Sequence, residues 1–351
     1  MNHTLVDQIA NAVLYEGYLL YPYRPSVKSR HRWTFGGLVP QAYSLAQGGT
    51  EAWTMQTECL VLGGRRPTLA VKVRFLHLVA RLVGEFARPL AEFPDAGEPP
   101  FRVVESLRVG DQLFHTWQEA VEREFLLGEV DSNTLVDRPR QSAFAFPSMR
   151  EREPLRGPGG EFVGVIVREQ QAIEGSVELS AERVGEGRFK VTVRVLNRTL
   201  LPSLFPSGEE RKGDWSRDEA LMYSLVSTHC VLTVGDGEFV SLLDPPESWR
   251  ELAAGCRNVG TWPVLVGEEG QKDTLLSSPI ILYDYPRIAP ESPGDLFDAT
   301  EIDEILTLRI LTLTEEEKRA MVSVDERARA LLDRTAALTG EQLWRLHGTV
   351  H

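Results

Sequence analysis

The spacing of apolar residues predicts a helix at the start of the chain. Within residues 4–22, apolar side chains recur at steps of three and four positions, which places them on one face of a helix. They are Val6, Ile9, Ala10, Val13 and Leu14. Thr4 is a suitable N-cap, and Pro22 ends the helix at the latest. We expect the apolar face to pack on the core.

A change to alternating polar and apolar positions then predicts β-structure. Residues 54–63 and 68–83 have the composition and alternation typical of strands. Residues 85–100 are rich in proline and glycine, which favours a loop. Residues 101–109 and 116–127 are predicted to be further strands. The second of these alternates less cleanly and is rich in glutamate, so a helix is the alternative there.

The clearest strand signals lie in the second half of the chain. Residues 162–167 form one predicted strand, and two further pairs of strands flank short turns that contain glycine. The first pair (176–184 and 188–196) flanks Gly185-Glu186-Gly187, and the second (231–234 and 238–242) flanks Gly235-Asp236-Gly237. Strands joined by hairpins indicate an antiparallel sheet rather than a parallel one.

Helix signals return towards the C-terminus. An Asp-Pro-Pro-Glu sequence at 244–247 has the residues that favour the first turn of a helix. Residues 278–283 predict a last strand, and capping-box patterns at 314–317 and 339–342 predict a helical tail. We therefore predict an α+β fold with an antiparallel β-sheet core, an N-terminal helix and a helical C-terminal tail.

The predicted division of the chain places a break at residues 135–160, which are rich in proline, glycine and arginine. This stretch is expected to be a linker, or a long loop that a partner orders. The predicted parts are 1–134 (N-terminal helix plus β region), 135–160 (linker or loop), 161–290 (antiparallel β domain with one helix) and 291–351 (helical tail).

Composition limits the function classes. The formal net charge of −13 over 351 residues argues against nucleic-acid binding and against docking on anionic lipid, because both need a cationic face. The three cysteines are few and far apart, so a reducing compartment is expected rather than a disulfide framework. The sequence shows neither a signal peptide nor an apolar run long enough to span a bilayer. We predict a cytoplasmic protein.

The motifs that usually carry chemistry do not match this sequence. The glycines of residues 157–160 lack the lysine and the helix of a phosphate loop. His229 and Cys230 are adjacent, so in a strand their side chains point to opposite faces and cannot share a metal. No Gly-x-Ser-x-Gly nucleophile elbow is present. We predict no catalytic residue, no bound metal and no organic cofactor.

A cluster of cationic and aromatic residues stands out in residues 15–40 of this acidic chain. Arginine and tryptophan are frequent in binding hot spots, so the cluster is a candidate recognition surface for a protein partner. The alternative is internal pairing with an acidic stretch at 284–304. Its members are Asp284, Glu291, Asp295, Asp298, Glu301, Asp303 and Glu304. These acids could also hold a hard cation, or form a solvated face at a helix N-terminus.

Two segments resemble a known protein family. One comprises residues 14–24 (LYEGYLLYPYR) and 30–37 (RHRWTFGG), and the other 278–287 (SPIILYDYPR) and 293–298 (PGDLFD). The chain resembles, over nearly its whole length, an uncharacterised bacterial family often encoded beside nickel–iron hydrogenases of the oxygen-tolerant, high-affinity type. The resemblance implies an accessory or assembly role in hydrogenase biogenesis, with a hydrogenase subunit or maturation factor as partner. It brings no catalytic residues with it.

We therefore expect a non-catalytic protein that acts by binding a partner protein. Two other classes stay open: a hydrolase or metal-dependent enzyme that uses the carboxylates of 284–304, and a structural subunit of a larger complex. The candidate partner-binding residues are Tyr21, Tyr23, Arg24, Arg30, Arg32, Trp33, Tyr283, Asp284, Tyr285 and Arg287.

Overall fold

The computed structural model describes residues 3–19, 36–94, 97, 99–203 and 215–287. Its helices are α1 (His3–Leu19), α2 (Gln41–Ala46), α3 (Ser132–Asp137), α4 (Arg217–Leu221) and α5 (Arg250–Ala254). Its strands are β1 (Thr54–Leu90), β2 (Phe101–Val104), β3 (Ser106–Val109), β4 (Gln112–His115), β5 (Trp117–Asp131), β6 (Arg140–Phe146), β7 (Met149–Arg156), β8 (Phe162–Gln170), β9 (Ile173–Gly185), β10 (Arg188–Asn197), β11 (Val226–Val240), β12 (Trp262–Leu265) and β13 (Thr274–Ser278).

The long strand β1 is the spine of an antiparallel sheet. One of its edges pairs with β11 and then, further along, with β8. The opposite edge pairs in turn with β10, β5 and β2. From these neighbours the sheet extends through β13 and β12 at one end, through β9 and β6 at another, and through β7 beyond β8. Strands β3 and β4 form a separate two-stranded sheet.

Alternation along β1 decides which side chains enter the core. Val71, Val73 and Phe75 point to the inner face and are fully buried. The far strands β9 and β6 curl over this face, so that the ring of Phe144 lies 5.7 Å from that of Phe75. At Gly175 an added Cβ would lie 2.2 Å from the Phe144 ring, so only glycine permits this close approach. The sheet thus encloses one large apolar core.

Helix α1 covers the outer face of the sheet over β11, β13 and β12. Its apolar stripe of Val6, Ile9, Ala10 and Val13 packs on Val231, Val264, Val266 and Leu276. The Ser227 hydroxyl also donates a hydrogen bond to the Val13 carbonyl at 3.1 Å. The predicted N-terminal helix and its core-facing side are therefore confirmed.

Several predictions of strands and turns are confirmed. The sheet is antiparallel throughout, and β9 and β10 form the expected hairpin, with Gly187 at a φ of 62°. Residues 116–127 belong to β5 and not to a helix. The helix predicted from the Asp-Pro-Pro-Glu sequence begins as a 3₁₀ turn at Glu247–Trp249 and continues as α5.

Other predictions are wrong. Gly235-Asp236-Gly237 is no hairpin, because β11 runs straight through it while pairing with β1 on both sides of an irregularity. The predicted linker 135–160 instead contains β6 and β7, which pair into the main sheet. Of the predicted strand 278–283, only Ser278 lies in a strand, because β13 ends at that residue.

The two predicted β regions also share one sheet, since β1 pairs with β8, β10 and β11. The expected helical tail, 291–351, lies outside the described residues.

Candidate functional site

The structure describes four of the ten predicted partner-binding residues. Tyr283, Asp284, Tyr285 and Arg287 lie in the segment that follows β13. The other six lie outside the described residues, namely Tyr21, Tyr23, Arg24, Arg30, Arg32 and Trp33. The candidate site is therefore the segment of residues 279–287, which we call the exit segment.

Asp284 anchors the exit segment to two neighbouring elements. Its Oδ2 accepts a hydrogen bond from the Ser241 hydroxyl at 2.5 Å, just after β11. Its Oδ1 accepts from the backbone N–H of Leu265 at 2.8 Å, at the end of β12. Ser241 in turn accepts from the N–H groups of Leu243 and Asp244. This carboxylate therefore works as a structural acceptor.

Tyr285 holds the segment down one residue later. Its N–H donates to the Leu265 carbonyl at 2.7 Å, and its hydroxyl donates to the Gln271 carbonyl at 2.9 Å. Burial raises the pKa of this phenol, so the hydroxyl remains a donor. The residue has a φ of 57°, which a tyrosine rarely adopts, and its ring packs against the main core. Asp284 and Tyr285 together satisfy the outer edge of β12 at Leu265.

Ahead of these two anchors, the exit segment presents exposed apolar side chains. Ile280 and Leu282 turn inward and pack on the cluster beneath α1. The intervening Ile281 and the following Tyr283 are 73% and 86% exposed. Arg287 forms an exposed ion pair with Glu269 at 3.7 Å. Ile281 and Tyr283 are therefore held outward on a fixed backbone.

The structure brings the two family-like segments together. Gly36, near the end of the first, lies so close to Pro279 of the second that a Cβ at Gly36 would come within 2.4 Å of the proline ring. Gly36 has a φ of 53°, and its carbonyl accepts from the Thr228 N–H at 3.0 Å. The resemblance on these segments therefore includes residues that pack for structural reasons.

A charge network on the inner face was not predicted from the sequence. Arg168 donates to Glu119 and to Glu153, each at 2.8 Å, and joins β8 to β5 and β7. Arg81 on β1 is nearly buried and lies 3.6 Å from Glu119. The two guanidiniums and two carboxylates balance in charge, so the network links four strands rather than presenting free charge. The sequence signals at hand were the alternating Arg and Glu of β7 and the glutamates of β5.

A second buried arginine joins α1 to the sheet. Arg74, on the outer face of β1, contacts Asn11 of α1 at 2.7 Å and Glu124 of β5 at 2.8 Å. Its side chain is 5% exposed. The carboxylate of Glu124 compensates the buried charge, and Asn11 ties it to the helix.

The histidines and cysteines of the sheet are unsuited to proton transfer or nucleophilic attack. Burial lowers the pKa of His77 to about 4 and that of His229 to about 3. Burial also raises the pKa of Cys230 to about 12 and that of Cys59 well above its usual range. These groups stay neutral near pH 7, out of contact with solvent.

The described residues include neither a metal site made of protein side chains nor a helix suited to crossing a membrane. Among them, no group of three or more His, Cys, Asp or Glu side chains could hold a metal ion. None of the helices in the described ranges combines the length and apolar character needed to cross a membrane. Of the seven acids at 284–304, only Asp284 is described.

Comparison with known proteins adds no assignment. No family model matches this chain. No curated protein matches it either. The candidate site therefore depends on the geometry described above.

Proposed function

We propose that this protein binds a partner protein through the exposed apolar residues of the exit segment, with Ile281 and Tyr283 at its centre. The observation that carries the proposal is the contrast along five residues. Alternate side chains are packed or hydrogen bonded, while Ile281 and Tyr283 stand in solvent. Exposed apolar groups on a fixed backbone lose little conformational entropy on binding. Tyrosine is also frequent in protein interfaces.

The partner class comes from the family resemblance. It implies a subunit or maturation factor of a nickel–iron hydrogenase, and an accessory role in assembly. The role of Asp284 disfavours the rival enzyme proposal, since its two carboxylate oxygens already accept hydrogen bonds from Ser241 and Leu265. Its bonding makes it a poor ligand for a catalytic metal ion.

The test is capture of the partner from the native source, followed by mass spectrometry. The variant Ile281→Ser with Tyr283→Ala should lose most of the captured partner, because both side chains lie at the centre of the proposed surface. The matched control is Leu45→Ala with Leu200→Ser, since these side chains are exposed to a similar degree, at 66% and 86%, elsewhere on the chain. The control should capture as the unmodified protein does.

The stoichiometry separates two versions of the proposal. A transient complex supports an accessory protein, whereas a stable complex of fixed stoichiometry supports a structural subunit. Equal capture by the variant and by its control would show that the exit segment is not the binding surface.

A further inference from the structure

Among the edge strands of the described residues, one lacks the usual protection against pairing with another chain. Within the described ranges, β2, β5, β6, β7 and β12 each pair with a neighbour on one side only. Natural edge strands are protected by charge, by proline, by covering groups or by short length. β12 has Pro263, and Asp284 and Tyr285 bond its edge at Leu265.

The other edges follow the same rule, with one exception. β7 has Pro154 and four consecutive charges at 150–153, and β5 carries several glutamates. β2 has only four residues. By contrast, β6 runs for seven residues, and from Gln141 to Phe146 it contains neither a charge nor a proline.

The backbone groups on the free edge of β6 can be assigned from the neighbouring strand. The N–H of Glu174 donates to the Thr199 hydroxyl at 3.0 Å, and its carbonyl accepts from the Arg198 N–H at 2.9 Å. Both groups of Glu174 thus point away from β6. The N–H and C=O groups of successive residues in a strand point to opposite edges. The residues on either side of Glu174 in β9 therefore direct these groups towards β6, where they bond Phe144 and every second residue from it.

It follows that Gln141, Ala143 and Ala145 direct their N–H and C=O groups to the free edge. All three residues are exposed. These three residues are spaced evenly about Ala143. A second β6 laid antiparallel, with the two Ala143 residues opposite each other, would therefore pair Gln141 with Ala145 of the second copy and the reverse. Each of the three pairs exchanges two hydrogen bonds.

The side chains agree with this symmetric pairing. On the inner face, Arg140 would lie opposite Phe146 of the second copy, a cation beside an aromatic ring, and no two charged residues of the β6 strands would lie opposite each other. On the outer face is a cup of about 380 Å³, lined among others by Ala143, Ala145, Ser176, Glu174 and Arg198. The Gln141 side chain of the second copy, opposite Ala145, would fall at this cup.

We propose that β6 is a homodimerisation edge, at which a second copy of this chain continues the sheet across a two-fold axis at Ala143. The proposal is independent of the exit segment, so the failure of either leaves the other standing. A chain of net charge −13 repels its copies at long range, and contact along residues 141–146 adds no further acidic groups to that repulsion.

The first experiment measures mass in solution by analytical ultracentrifugation. The unmodified protein should be a dimer that dissociates on dilution. Ala143→Pro removes an N–H that β9 does not use, and edge strands tolerate proline. It should leave the melting temperature nearly unchanged and raise the dissociation constant of the dimer roughly thirtyfold, since one hydrogen bond is lost per copy. Ala143→Ser keeps the N–H and should dimerise normally. A monomer at all concentrations, or a folded Ala143→Pro dimer of unchanged affinity, overturns the proposal.

The second experiment fixes the register and does not depend on proline being tolerated. In a Cys256→Ser background the remaining cysteines, Cys59 and Cys230, are fully buried. Ala143→Cys should form a disulfide-linked dimer on mild oxidation, because directly opposed residues lie within disulfide range. Ala145→Cys should not, because its counterpart lies four residues along the strand, about 13 Å away. The two-fold register is wrong if Ala143→Cys forms no cross-link, or if Ala143→Cys and Ala145→Cys cross-link equally.

Discussion

At the scale of single residues, Asp284 shows how a candidate binding residue serves the fold. Its two oxygens accept from the Ser241 hydroxyl and the Leu265 N–H. Asp284→Ala should lower the free energy of unfolding by about 2–3 kcal/mol, because a hydrogen bond to a charged group is worth about that much and the Leu265 N–H loses its partner. Asp284→Asn keeps one acceptor oxygen and should cost about half as much. Urea unfolding measures both.

The result also tests the prediction made from the sequence. If Asp284→Ala leaves stability unchanged and abolishes partner capture, the aspartate is a recognition residue after all. Tyr283→Ala is the matched control one residue away, since its side chain is 86% exposed and should not affect unfolding.

The sequence identified the 283–287 segment, but it could not assign its residues to roles. Tyr283 and Tyr285 look equivalent in sequence, yet one is exposed and the other packs on the core. The difference is set by Leu265 and Gln271, distant in sequence, whose carbonyls accept from Tyr285. For the same reason the Arg81–Glu119–Arg168–Glu153 network was missed, since its four residues come from four strands.

At the scale of elements, two Gly-x-Gly sequences predicted the same hairpin and gave different structures. Gly185-Glu186-Gly187 closes the hairpin between β9 and β10. Gly235-Asp236-Gly237 lies within β11, opposite an irregularity at residues 64–67 of β1. Local alternation is alike around both. The difference lies in the partner strand, because β1 is long enough to pair with β11 on both sides of the glycines of β11. No signal in the local sequence reveals that partner.

Asp236 makes this irregularity possible, and it provides a stability test. It adopts a φ of 49°, and its Oδ2 accepts from the Arg66 N–H at 2.7 Å. Asp236→Ala should lower the free energy of unfolding by about 1–2 kcal/mol, because alanine lacks the acceptor and is strained at positive φ. Asp236→Asn should be nearly neutral, since asparagine accepts the bond and tolerates this conformation. Equal losses for both variants in thermal unfolding would contradict this explanation.

At the scale of the whole molecule, both faces of the sheet bury titratable groups. His77 lies on the inner face, where its Nε2 contacts the Gln171 carbonyl at 2.8 Å and Arg123 is nearby. His229 lies on the outer face beneath α1, beside Arg74. Burial and the neighbouring arginine lower both pKa values, so folding requires both rings to be neutral. Acid therefore destabilises the fold at both faces of the sheet, through one buried histidine on each.

This response predicts a loss of stability as the pH falls from 6.5 to about 4 for His77 and to about 3 for His229. Because the unfolded chain binds protons at a pKa near 6.5 and the folded chain only near 4 and 3, unfolding takes up about two protons in this range. Stability is fully present above pH 6.5 and falls with pH, by about 2 kcal/mol per histidine at pH 5. Urea unfolding at pH 8, 6 and 5 measures the loss. His77→Gln, whose amide can still donate to the Gln171 carbonyl, should halve it, and so should His229→Gln. If neither variant changes the slope of stability with pH, other groups cause the acid response.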